Sequence, residues 1–173
     1  MKKLDLSLCG FKVYQAKPED LHTVHIIDAQ SLLSSVHEEW FLDRWKRFQD
    51  RFFVAKLNYT GKIIGYVTAA GVEYYPDYLP NYIYMSRFAV SKEYRQCGVG
   101  TALYRALEKN VCQTQKTCAG LVGDVRRSNT VSASFFGKMG FLEHGDLSRP
   151  RWYENGATDN DKYKVVVYKS FER

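Results

Sequence analysis

The chain contains no run of 18 apolar residues, so no membrane-crossing helix is expected. Met1-Lys2-Lys3-Leu4-Asp5 leads into no apolar stretch, so no secretory signal is expected either. Cysteine is scarce. Cys9, Cys97, Cys112 and Cys118 form no C-x-x-C pair and have no histidines at zinc-finger spacing. That argues against a metal site and for reduced thiols in a cytoplasmic chain. Internal repeats and low-complexity segments are also absent, which excludes solenoids and compositionally disordered proteins. Acids are in deficit, 19 Asp and Glu against 25 Lys and Arg, giving a net charge of +6. The bases are nevertheless scattered (Lys2-Lys3, Arg44 to Arg47, Arg126-Arg127, Arg149 and Arg151) and form no nucleic-acid-binding stripe. A mild positive field suits a ligand carrying several phosphate charges.

What is present describes a globular domain. At 173 residues, with 45% apolar and 15% aromatic content, the chain is long enough for one domain, residues 1–173, with a real core. Phe11 to Ala16 alternates as a strand, and Pro18-Glu19-Asp20 starts a helix. Ile26, Ala29, Leu32, Leu33 and Val36 recur at helical spacing. A second amphipathic helix covers 38–49, with Phe41, Trp45 and Phe48 on the buried face and its charges in solvent. Phe52 to Leu57 and Ile63 to Val72 read as strands around the turn Asn58 to Gly61. An aromatic loop, 74–81, precedes a strand at 82–90 and a helix from Thr101 to Lys109. A short apolar strand (Ala119 to Val125), a helix (Thr130 to Met139) closed by Gly140, and a strand from Phe141 to His144 follow. A polar loop over 145–161 leads to a last strand, Tyr163 to Tyr168. The sum is a mixed α/β (α+β) domain with a strand–helix–strand crossover, parallel and right-handed, at its centre.

The most informative stretch lies between the 82–90 strand and the helix after it. Val90-Ser91-Lys92-Glu93-Tyr94-Arg95-Gln96-Cys97-Gly98-Val99-Gly100-Thr101 is a basic turn opening onto a helix N-terminus. Unpaired N–H groups and the helix dipole there favour an anion, and glycines let the main chain approach it closely. A P-loop needs Lys-Ser/Thr after the last glycine, and Thr101-Ala102 follows Gly100 instead. The dinucleotide pattern G-x-G-x-x-G fails as well. Cys97, inside the turn, reads as a small filler rather than a nucleophile.

The remaining pattern, R-x-x-G-x-G at Arg95, Gly98 and Gly100, resembles the pyrophosphate-binding motif of the GNAT superfamily of acetyl-CoA-dependent N-acetyltransferases. A second segment, Asp124-Val125 through Asn129 to Phe135-Phe136-Gly137-Lys138-Met139-Gly140-Phe141, resembles the other half of the GNAT signature. Together the two cover residues 82–141. The resemblance implies a mostly antiparallel sheet with one parallel, splayed strand pair flanked by helices, and acetyl-CoA lying in the wedge. It implies main-chain pairing of the pantetheine with Phe88 and Val90, with the thioester carbonyl polarised by N–H groups near Phe88 and Ala89. The pyrophosphate would rest on Arg95, Gln96, Gly98, Val99, Gly100 and Thr101. Asn129 would meet the pantetheine arm, though it also reads as a helix N-cap. Lys138 reads either as a ribose-phosphate contact or as a solvated lysine.

For the chemistry, the resemblance implies acetyl transfer to a primary amine, at a protein N-terminus or on a small molecule. Asp124 stands where protein-N-terminus acetylating relatives carry a glutamate base, and it also reads as a cap of the following turn. Glu73 and Asp77 are alternative bases. Tyr84 occupies a position where some relatives carry a glutamate, but a phenol titrating near about 10 is a poor base. Phe136, assigned to the cofactor site, replaces a tyrosine that protonates the departing thiolate in many members. Ser134, Tyr94, Tyr104 and Tyr153 are the hydroxyls that could substitute. Losing that tyrosine also leaves open a catalytically weak or silent acyl-CoA-binding domain. The tail from Arg151 to Tyr163 resembles the paired-aromatic, acid-ending tail of N-terminal-amine acetylating enzymes and would wall an acceptor groove with the 74–84 loop, but it reads first as an ordinary edge hairpin. The expected partners are acetyl-CoA and an amine acceptor, with no metal and no nucleic acid, and with a homodimer as one possible assembly.

Overall fold

A computed structural model describes residues 10–32, 36–71, 79, 81–126, 128–146 and 164–171. Seven strands are formed: β1 (Phe11–Gln15), β2 (Phe52–Leu57), β3 (Ile63–Ala69), β4 (Tyr82–Val90), β5 (Gly120–Arg126), β6 (Leu142–Asp146) and β7 (Lys164–Ser170). Four helices accompany them: α1 (Leu21–Ser31), α2 (Glu38–Phe48), α3 (Val99–Thr114) and α4 (Thr130–Lys138). The strands form one sheet in the order β1-β2-β3-β4-β5-β7-β6. Every neighbouring pair is antiparallel except β4–β5, which is parallel and joined through α3. The mixed, mostly antiparallel architecture expected above is the one observed.

The sheet separates two cores. On one face, Val99, Leu103, Leu107 and Val111 of α3 and Phe136 of α4 pack with Ile64, Val67, Ile83, Met85, Leu121 and Val125. On the other face, Leu21, Val24 and Ile27 of α1 and Phe41 of α2 pack with Phe52, Val54, Tyr66 and Ala89. Periods of 3.6 along the helices and 2 along the strands put these residues on matching faces.

Several expectations need correction. The α1 stripe is not the one read from spacing: Ile26 is 42% exposed and Ala29 is exposed, while Leu21, Val24, Ile27 and Asp28 are buried. A buried carboxylate at position 28 turns the helix to a face that a hydrophobic pattern does not reveal. On α2, Trp45 is only half-buried, its indole N–H donating to the Ala16 carbonyl at 2.8 Å, whereas Arg44 is buried. Its guanidinium lies over the Trp40 ring at 4.9 Å and the Phe48 ring at 5.8 Å, not in solvent. β3 ends at Ala69, and Val72 lies outside the described residues, as does most of the 74–81 loop. α3 is longer than expected at both ends because Val99 anchors its first turn and Val111 its last in the core. The 145–161 loop begins later, since Gly145 and Asp146 belong to β6. Residues 147–163, including the resembling tail, are outside the described residues.

Candidate active site

The site begins where β4 and β5 stop being neighbours. Their ladder contains only Tyr82↔Gly120, Ile83↔Leu121 and Tyr84↔Val122. Beyond that point β4 continues against β3 to Val90 and β5 continues against β7 to Arg126. Each follows its other neighbour, and a wedge opens between them. A β-bulge drives the divergence: Thr68 faces Arg87 and Ala69 faces Met85, so Ser86 is the extra residue of β4. Its hydroxyl donates to the Thr68 carbonyl at 3.1 Å. The bulge also shifts the side-chain alternation. Ile83 and Met85 face α3 before it; Phe88 and Val90 face α3 after it, while Arg87 and Ala89 turn to the α1 side.

The same shift sets the main-chain directions. Ser91 N–H donates to the Ile64 carbonyl at 2.9 Å, and Ala89 is registered with Tyr66 and Arg87 with Thr68. Because hydrogen-bonded and non-bonded pairs alternate along an antiparallel ladder, Phe88 and Val90 direct their N–H and C=O groups away from β3, into the wedge. Ala89 directs its own towards β3. Of the two residues expected to polarise a carbonyl, only Phe88 therefore offers its N–H to the wedge. The Val90 carbonyl accepts from Arg95 Nε at 2.9 Å.

At the wedge mouth, the chain from Arg95 to Gly98 turns into α3. Gln96 has φ +61° and Gly98 φ +81°, both left-handed. Glycine is needed at 98 for that angle. A methyl group on Gly100 would only touch Phe135 at 3.5 Å and Phe88 at 3.6 Å, which is ordinary contact. Gly98 caps the helix with no side-chain hydrogen bond, so the first-turn N–H groups of Val99, Gly100 and Thr101 have no intrahelical acceptor. Val99 is buried and can contribute only main chain; Arg95, Gln96 and Thr101 are exposed. This cradle of N–H groups in an exposed basic turn fits a diphosphate, as the wedge edge fits an amide-bearing arm.

Across the mouth, α4 starts at Asn129, whose side-chain oxygen accepts from Ser132 N–H at 3.1 Å. Asn129 is thus an N-cap, and a cap through its oxygen leaves its amide group as a donor. Phe135 packs edge-to-face on Phe88 at 5.3 Å, linking α4 to β4. Phe136 is buried, its ring 5.5 Å from Phe135 and 5.0 Å from Phe141. Lys138 is exposed.

The opposite face of the wedge carries the polar chemistry. The Tyr84 hydroxyl donates to Asp124 Oδ1 at 2.5 Å, crossing from β4 to β5 two residues past the last rung on β5. Tyr84 lies in a small cluster with Phe48, Ala70, Leu79 and Val122, with Tyr82 and Tyr168 packed beside it. The sequence reading missed this pairing, because forty residues separate the partners and no local pattern links them. Glu73 and Asp77 lie outside the described residues. Among the substitute hydroxyls, Tyr104 donates to Glu108 at 2.5 Å, and burial together with that carboxylate raises its pKa far above the usual phenol value. Tyr94 is buried, Ser134 is exposed on α4, and Tyr153 is outside the described residues.

Further along the same face is a buried polar triad. Arg87 grips Asp28 with two bonds, Nε to Oδ1 at 2.7 Å and Nη2 to Oδ2 at 2.8 Å, and the Tyr66 hydroxyl also donates to Asp28 Oδ1. Burial, reinforced by Asp28, raises the Tyr66 pKa well above the ordinary phenol range. Burial pulls the Arg87 pKa down, but the Asp28 carboxylate outweighs it and the net direction is up. The triad fixes α1 to β3 and to the part of β4 beyond the bulge.

Residues 16–141 match the family model described as the acetyltransferase (GNAT) family. An uncharacterized N-acetyltransferase of Methanocaldococcus jannaschii is 30% identical over 138 residues, spanning 80% of this chain and 81% of that protein. An N-alpha-acetyltransferase of Sulfurisphaera tokodaii is 24% identical over 139 residues, or 77% and 81% of the two chains. Among solved structures, Arabidopsis thaliana Naa50 in complex with the bisubstrate analogue CoA-Ac-MVNAL superposes with a TM-score of 0.72 at 19% identity, covering 93% of this chain and 99% of that one.

Proposed function

The chain belongs to the GNAT family of N-acetyltransferases, and we propose that it transfers the acetyl group of acetyl-CoA to the α-amine of a protein N-terminus. The observation that carries this reading is the two-sided wedge. One side offers a cradle of N–H groups that fits a diphosphate; the other carries Asp124 bonded to Tyr84, a carboxylate that in this reading meets the incoming amine. Two relatives support a peptide acceptor over a small amine. One is named as an N-alpha-acetyltransferase, and the other was solved with a bisubstrate analogue that includes a peptide.

In this reading acetyl-CoA supplies an activated thioester and the chain supplies position and charge. Arg95, Gln96, Gly98, Val99, Gly100 and Thr101 hold the pyrophosphate. Phe88 and Val90 pair with the pantetheine through main chain, Asn129 donates its amide to the same arm, and Phe136 packs behind it. The Phe88 N–H stabilises the oxyanion that develops when the amine attacks. The neutral amine attacks, and Asp124 accepts the proton that its nitrogen gives up, directly or through one water, since an aspartate is one methylene shorter than a glutamate. Glu73 remains an alternative base. Phe136 has no proton to give, so the thiolate leaves unaided or is protonated from solvent. A thiol pKa of about 8.5 makes it a tolerable leaving group. The domain acts as a single unit in the cytoplasm.

Thiol release from acetyl-CoA, measured across a panel of N-terminal peptides and small amines, tests this. Amine-dependent turnover that favours peptides is expected. Acetyl-CoA binding without amine-dependent release would favour the silent acyl-CoA-binding alternative instead. In Asp124→Asn, turnover is expected to fall by about 10²–10⁴ with acetyl-CoA affinity intact; unchanged turnover would remove Asp124 from the mechanism.

A further inference from the structure

The closed end of the wedge carries an unusual packing. Just past the last rung, Tyr84↔Val122, the next residues on the two strands are Met85 and Gly123. Leu121 and Val125 flank Gly123 on β5 and are buried in the α3-side core, so by the alternation of the strand Gly123 is a notch in an otherwise filled row. Met85 fills the notch from across the gap. Its Cε lies 3.7 Å from the point a Cβ on Gly123 would occupy, and its carbonyl 3.9 Å from that point. The bulge at Ser86 immediately follows, so this contact lies at the root of the divergence.

We infer that Met85, seated against Gly123, is the acyl-length filter of the enzyme and confines the donor to short acyl-CoAs. The inference rests on the acetyl-CoA reading of the wedge. An arm entering from the glycine turn and pairing with Val90 and then Phe88 carries its acyl group towards the vertex. Phe88 and Met85 are three residues apart, about 10 Å of strand and less across a bulge. That leaves room for a thioester and a methyl group before the Met85 side chain is met. A longer chain must displace an unbranched side chain that is itself part of the core. Truncating Met85 opens this end. A methyl group on Gly123 closes it further, at ordinary contact distance and with no left-handed backbone to forbid it.

Calorimetric titration of the full chain with CoA, acetyl-CoA, propionyl-CoA and butyryl-CoA tests the inference. In the unmodified protein, affinity is expected to drop by about 10- to 200-fold for each methylene beyond acetyl, the discrimination a tight apolar pocket gives. Met85→Ala should flatten or invert the series, with butyryl-CoA gaining most. Gly123→Ala should steepen it and costs little packing, so it serves even if the Met85 cavity prevents folding. Equal affinity for all three acyl-CoAs in the unmodified protein would overturn the inference. So would an unchanged acyl ratio in Gly123→Ala. If CoA itself does not bind, the acetyl-CoA reading fails first, and that result is distinct from a flat acyl series.

Discussion

The two faces of the sheet are built on different principles. Among the described residues, the face towards α3 and α4 is mostly apolar, with Glu108 joined to Lys169, Arg105 and Tyr104 at the rim between α3 and β7. The face towards α1 and α2 encloses Asp28, Arg87, Tyr66, Arg44 and Thr68 among its aromatic residues. The first face thus relies on packing and main chain. The second relies on directed polar bonds from Arg87 and Tyr66 to Asp28, which hold α1 over β3 and β4. Burial of charge is safe only with every partner present, so the second face is the more brittle of the two.

The sharpest way to break the contrast is Asp28→Ala. It would leave the Arg87 guanidinium buried without its carboxylate and Tyr66 without its acceptor. Unfolding in urea should register a loss of about 3–5 kcal/mol. Asp28→Asn, which keeps shape but not charge, should lose less. If Asp28→Ala unfolds like the unmodified chain, the polar face is not what secures α1.

Gly98→Ala probes the other face through its backbone. Forcing a Cβ into a φ of +81° should destabilise by about 1–2 kcal/mol and weaken acetyl-CoA binding together with stability. Gly100→Ala, at ordinary contact distance from Phe135 and Phe88, should leave the melting temperature nearly unchanged. A matching loss in both variants would show that the cradle depends on space rather than on the left-handed turn.

The smallest effect concerns the rim. Burial pushes the Glu108 carboxyl upward, but hydrogen bonds from Lys169, Tyr104 and Arg105 outweigh it and hold its pKa below the ordinary 4.5. A depressed carboxylate stabilises the fold above its unfolded pKa, and that contribution is lost as pH falls through the lower folded value. Glu108→Gln should therefore cost about 1 kcal/mol at neutral pH, discounted for solvent screening, and progressively less as pH drops below about 4.5. Melting curves of the two proteins across that range should converge on the acid side.

Legibility in the sequence followed the same division. The glycine turn, the apolar β5 and the Asn129 cap rest on residues close together in the chain, and spacing alone exposed them. The bulge at Ser86 had no such local signature, although it determines which residues of β4 face the wedge. Asp28 carried no local signal, because its partner Arg87 is fifty-nine positions away. The apolar spacing alone placed the α1 face on Ile26. The Tyr84–Asp124 bond was hidden for the same reason, and so Tyr84 was weighed as a base rather than as the hydrogen-bond partner of Asp124.

By itself, then, the sequence determined the anion cradle, the helix–strand order and the two motifs that identify the family. Each depends on φ preferences, hydrogen-bond donors and periodicity within a few turns of chain. Only the tertiary structure decided where β4 leaves β5, which main-chain groups edge the wedge and that Tyr84 bonds Asp124 across it. Those outcomes depend on ladder register and on charges brought together from distant strands, and no local pattern encodes either.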